Sequence, residues 1–225
     1  MRITPRAPTA FVLALVGVLL TASLASAHQP FFEDSDFTAA APGSVKDPTV
    51  STAIYATLDT RSDVDYVTFD GKRGQSVLVG ITIPAIEGQE DFTPTVAVLG
   101  EGLPTAKLPR SVAIPEGAGA VVWNAPAGAA NVFFEPFSRT SYWERQENRI
   151  ELPADGRYTL AVWSDAGDVG RYTLVVGDRE IMGGDPAFPI KLPGYWTAVE
   201  EPPAAPDSAP AAAPTPGAKP SCGRR

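Results

Sequence analysis

Apolar and polar residues alternate along this chain in short bursts, and Gly, Pro or Asp closes each burst. A period of two is the mark of a half-buried strand. Val50 to Leu58 places Ile54, Ala56 and Leu58 on one face. Val64 to Phe69 follows across the turn Asp59-Thr60-Arg61-Ser62, inside an acidic stretch from Asp63 to Asp70. Val77, Val79, Ile81 and Ile83 share one side of the next run, with Leu78, Gly80 and Thr82 on the other. Shorter runs follow at Thr95 to Leu99, Ala120 to Trp123, Asn131 to Phe134 and Arg149 to Leu152. The pentapeptide Gly-Arg-Tyr-Thr-Leu occurs twice, at Gly156 to Leu160 and Gly170 to Leu174. The strands it opens read as a hairpin around the turn Ser164 to Asp168. Its apolar face would be Tyr158, Leu160 and Val162 beside Tyr172, Leu174 and Val176, with Thr and Arg turned to water. No long segment carries a helical period. The expectation is an all-β fold: an antiparallel β-sandwich, jelly-roll or immunoglobulin-like, of about eight or nine strands and no helix.

The two ends differ from this body. Arg2 and Arg6, the apolar run Phe11 to Leu20 and the small residues Ala25-Ser26-Ala27 read as a secretory signal over residues 1–27. The apolar run is short for a membrane span, and no second one follows, so no transmembrane segment is expected after cleavage. From Glu200 the chain becomes a Pro/Ala-rich run, read as a disordered tail over 200–225. The body is then 28–199, placed outside the cytoplasm, either secreted or in the periplasm and cell envelope. It is acidic: beyond residue 27 there are 16 Lys and Arg against 26 Asp and Glu. That balance disfavours nucleic acid as a partner. Cys222 is the one cysteine, so no intrachain disulfide can form and the apolar core must hold the body.

Several of these segments together resemble the bacterial pre-peptidase C-terminal domain. They are the acidic opening Glu33-Asp34-Ser35-Asp36-Phe37, the strand end Ala56-Thr57-Leu58 and the run Asp63-Val64-Asp65-Tyr66-Val67-Thr68-Phe69. The run Pro153-Ala154-Asp155-Gly156-Arg157-Tyr158-Thr159-Leu160 and the closing strand Gly170 to Leu174 complete the set. The resemblance implies a secreted β-sandwich related to the collagen-binding modules of bacterial collagenases, here free-standing. It also implies calcium, on Glu33, Asp34, Asp36, Asp63 and Asp65. Calcium takes six to eight oxygens, so clustered acids with no Lys between them suit it.

Other residues carry weaker chemistry. Signal cleavage would make His28, the only histidine, the first residue of the mature chain. Its amine and imidazole could hold copper, although imidazole partners are missing. The aromatic run from Phe133 to Arg145 reads as a long loop after Phe134, whose Phe137, Tyr142 and Trp143 would cap one open end of the sandwich or, with Arg139 and Arg145, contact a protein or polysaccharide of the envelope or extracellular space. Tyr195 and Trp196 are expected to pin down the last segment. Catalysis has little to draw on. One His and one Cys supply neither a nucleophile–imidazole device nor a zinc triad, so no enzyme is expected. The reading is a non-catalytic, calcium-stabilised binding or structural module, with extracytoplasmic copper binding as the alternative.

Overall fold

The computed structural model describes residues 28–199, apart from 127 and 137. The signal-like leader, the Pro/Ala-rich tail, Cys222 and Phe137 therefore lie outside the described residues. Eleven strands form two facing sheets. They are β1 (Gln29–Phe32), β2 (Gly43–Ser44), β3 (Thr52–Leu58), β4 (Val64–Gly71), β5 (Ser76–Pro84) and β6 (Thr95–Gly100). Then come β7 (Gly119–Trp123), β8 (Asn131–Glu135), β9 (Thr140–Glu151), β10 (Gly156–Trp163) and β11 (Gly170–Val176). One sheet has the order β1-β3-β11-β5-β9-β8 and the other β2-β4-β10-β6-β7. Neighbours are antiparallel except at β1–β3 and β2–β4, which are parallel. The all-β sandwich is as expected, with more strands and mixed pairing.

The core lies between the sheets. Ile54, Ala56 and Leu58 enter it from β3, Val77, Val79, Ile81 and Ile83 from β5, and Val67 and Phe69 from β4. The repeated pentapeptide supplies the rest, though not as a hairpin. β10 pairs β4 and β6, whereas β11 pairs β3 and β5. The turn at Ser164 to Asp168 crosses from one sheet to the other, so Tyr158, Leu160 and Val162 look across the core at Tyr172, Leu174 and Val176. Side-by-side pairing and face-to-face layering require the same alternation, which is why the pattern did not separate them. Tyr158 fits because its neighbours are glycines: a Cβ on Gly100 would stand 2.3 Å from its ring.

Neither outer face is simply wet. Val64, Tyr66, Ala97, Leu99, Ala161 and Trp163 form a second cluster outside the five-stranded sheet, roofed by Leu108 and Val112. Ala53, Tyr55 and Tyr142 form a third outside the six-stranded sheet, under the helix α1 (Phe188–Tyr195). Thr159 and Thr173, expected in water, are buried beneath these covers. α1 was not expected, and its sequence explains why. Pro189 and Pro193 lie within it, and no side chain caps its start. Tertiary contacts hold it instead. Phe32 stacks on Tyr55 and meets Phe188 and Tyr195, and Tyr195 meets Tyr55 edge-on. Tyr195 and Trp196 thus pin the last segment as expected.

The aromatic run is a hairpin rather than a long loop: β8 and β9 pair from Asn131↔Glu144 to Glu135↔Thr140. β9 continues along β5, with Arg145 left over in a bulge between Gln146 and Glu144. The bulge turns the Arg145 side chain inward, where it donates to the Glu90 carbonyl.

Candidate metal centre

Glu33 directly follows β1, and its backbone N–H extends that strand's pairing by bonding to the Tyr55 carbonyl at 2.9 Å. Its side chain turns along the end of β3. Oε2 accepts the Thr57 N–H at 2.8 Å and Oε1 accepts the Phe37 N–H at 2.9 Å. Asp65 comes from the opposite sheet. It shares the inward face of β4 with Val67 and Phe69, at the end of the core, and it is 0% exposed. Its Oδ2 accepts the Tyr172 O–H at 2.7 Å, while Oδ1 receives no N–H or O–H donor and can share only a proton with the Glu33 carboxyl. Carboxylate oxygens of Glu33, Asp36 and Asp65 lie within 4.8 Å of one another.

Asp65, Glu33 and Asp63 resist ionising at this crowded end of the core. Asp65 is pushed up to about 9, first by burial and then by the charge of Glu33, against the lowering effect of the Tyr172 hydrogen bond. Glu33 is raised too, chiefly by burial, although two backbone N–H groups favour its charged form. Asp63 accepts the Asp59 N–H at 2.8 Å and is raised to about 6, by burial first and by its acidic neighbours after. With no counter-ion, the cluster therefore keeps a proton at neutral pH. A cation offers the other route to neutrality, and all the donors are hard oxygens. Each Glu33 oxygen spends one lone pair on a backbone N–H and has another to give.

The other anticipated residues sit as follows. Asp34 turns away from the cluster and holds Lys191 of α1 with both oxygens, at 2.7 and 2.9 Å. Lys191 also binds Asp185 at 2.7 Å. His28 places Nδ1 2.5 Å from the Ser51 hydroxyl, at the rim of a cleft that includes Phe133, Glu144 and Val175. Ser51 is only 1% exposed, so its hydroxyl anchors the ring rather than facing a substrate. Tyr142 is buried and stacked on Phe133, Trp143 packs against the main core, and Arg145 is buried. Arg139 is exposed at the β8–β9 turn, with φ 57°.

Tyr172 was not anticipated as part of the site. The repeated pentapeptide marked it, yet its twin plays a different part, because Tyr158 donates to the Ala154 carbonyl at 2.9 Å. Only the fold shows which of the two meets an acid.

No family model matches the sequence, and no curated protein matches it. Several solved structures are similar at a distance. Aeromonas hydrophila PliG, a periplasmic inhibitor of g-type lysozyme, is 17% identical over 60% of this chain and 95% of its own, with a TM-score of 0.37. The pre-peptidase C-terminal domain of a Bacillus anthracis collagenase is 14% identical over 59% of this chain and 91% of its own, with a TM-score of 0.32. CorA, a surface-associated copper-binding protein of Methylomicrobium album BG8, is 11% identical over 68% of this chain and 98% of its own, with a TM-score of 0.28. All three TM-scores are too low to carry function from those proteins to this one. Among the described residues no helix is long and apolar enough to cross a membrane.

Proposed function

We propose that the protein is a non-catalytic, extracytoplasmic β-sandwich module whose N-terminal segment is clamped to the core by a calcium ion on Glu33, Asp36 and Asp65. The extracytoplasmic placement comes from the leader-like residues 1–27. The observation that carries the cation reading is Asp65: fully buried, with one oxygen unpartnered beside two further carboxylates. A buried polar atom without a partner is costly, and a cation would satisfy it along with the crowded charge. The ligands favour calcium over softer metals because all are oxygens. Calcium also tolerates the irregular geometry of a bend joined to two strands, with water completing the shell. The role of the ion is to fasten a segment; the partner would be a protein or polysaccharide outside the cytoplasm.

Copper through His28 receives less support, since Nδ1, which the terminal amine would need for a chelate, is engaged by Ser51.

The test is terbium luminescence with calcium competition on the full chain. Tyr172 is hydrogen-bonded to a proposed ligand, so excitation of tyrosine should sensitise bound terbium, and calcium should quench that emission. Asp65→Asn should abolish the signal while the chain stays folded. Absence of sensitised emission at millimolar terbium, together with melting that is the same in chelator and in calcium, would remove the cation from the proposal.

A further inference from the structure

We infer that β8 is the contact strand of a two-fold dimer, in which the six-stranded sheets of two copies join edge to edge. Open sheet edges invite pairing, and folded proteins usually block them. Two sheets have four edges, and here three are blocked. Asp185 donates its N–H to the Pro30 carbonyl and so caps β1. Ala120 of β7 donates to the Pro104 carbonyl. β2 is two residues long. β8 is different: among the described residues no segment but β9 hydrogen-bonds the backbone of Asn131 to Phe134. Asn131 to Phe134 also contains no Lys, Arg or Pro to discourage a neighbour.

The side chains point the same way. Val132 lies opposite Trp143, which packs on the main core, so Val132 and Phe134 occupy the inward face of their sheet. Yet they are 63% and 60% exposed, so the five-stranded sheet does not reach beneath β8. The strand is an overhang with an apolar underside.

Its sequence suits a second copy of itself. Antiparallel pairing centred on Phe133 sets Val132 opposite Phe134 of the second copy, and apolar cross-strand pairs of this kind stabilise sheets. The same register sets Glu135 opposite Asn131, so the two Glu135 carboxylates never face each other. The two overhangs then meet and cover each other's Val132 and Phe134. A five-residue edge buries less than the roughly 1,000 Å² of a durable interface, so the dimer is weak and concentration-dependent. The chain is strongly acidic, so added salt should strengthen the dimer by screening repulsion.

Sedimentation velocity of the full chain tests this, with reductant present so that Cys222 cannot cross-link. The weight-average mass should climb towards twice the monomer's as concentration rises from micromolar to near-millimolar, and further with salt. Val132→Lys with Phe134→Lys should hold the mass at monomer across the range with an unchanged melting temperature. Ile190→Lys, at an 82% exposed site on α1, should behave like wild type. A wild-type chain that stays monomeric throughout overturns the inference, including the case where β8 instead receives a strand from another protein. So does a dimer that survives the double substitution.

Discussion

Asp65→Asn separates the two routes by which the buried carboxyl can be neutralised. Asn keeps the shape and can still accept the Tyr172 O–H, but it neither ionises nor binds calcium well. In the wild-type chain without a cation, Asp65 is raised from its ordinary 3.8 to about 9 by burial and by Glu33. The unfolded chain is ionised above 3.8, so between that value and about 9 the folded state holds a proton that the unfolded state lacks. Stability must then fall as pH rises through this window. At neutral pH the cost reaches about three pH units, or roughly 4 kcal/mol at about 1.4 kcal/mol per unit. Asn escapes that cost but must place an amide N–H₂ among acids. In chelator at neutral pH the variant should therefore gain about 2 to 4 kcal/mol, raising Tm by roughly 4 to 16 °C for a domain of this size. Saturating calcium should narrow or reverse the difference, because only the wild type gains about 2.7 kcal/mol at a hundredfold excess over Kd. Calorimetry of both chains, with chelator and with calcium, at about pH 5, 7 and 8.5 reads every term. The reasoning fails if the Asp65→Asn variant melts below wild type in chelator near neutral pH, or if wild-type melting in chelator ignores pH across the window.

Phe32→Ala removes three ring contacts beneath a helix with little stability of its own. It should cost about 2 to 4 kcal/mol and expose the amides of 188–196 to hydrogen exchange well before those of β5, as mass spectrometry would show. Gly100→Ala drives a methyl group into the Tyr158 ring, so it should destabilise by about 1 to 3 kcal/mol in urea melts, with terbium binding intact in the fraction still folded.

The strand pattern was legible where one face is buried and the other is not. Val77, Val79, Ile81 and Ile83 line up as their spacing says. It was less legible where the chain sits at an edge. Glu144 of β9 falls in the aromatic run read as a loop; with Glu147 and Arg149 it lies on the outward face of its sheet, opposite Thr82, Gly80 and Leu78, and β8 pairs β9 only as far as Glu144. α1 was hidden for another reason: its helicity is imposed by Phe32, Tyr55 and Asp34, which holds Lys191, rather than encoded by propensity. The acids were visible as a group, but not which of them converge. Successive residues leave an extended chain on opposite sides, so Glu33 meets Asp65 while Asp34 meets Lys191. That division needs the parallel register of β1 on β3, which no local pattern carries.

The attachment of β1 makes the two ends of the described residues answer to one another. Phe32 and Asp34 grip α1, and Glu33 between them belongs to the acid cluster. Tension applied beyond Val199 would thus divide, passing through Thr197 and Tyr195 into β11 and through Lys191 into the first strand. An ion seated there would serve as a rivet on that load path, and its loss would let the leading strand peel while the two layers behind it stayed closed.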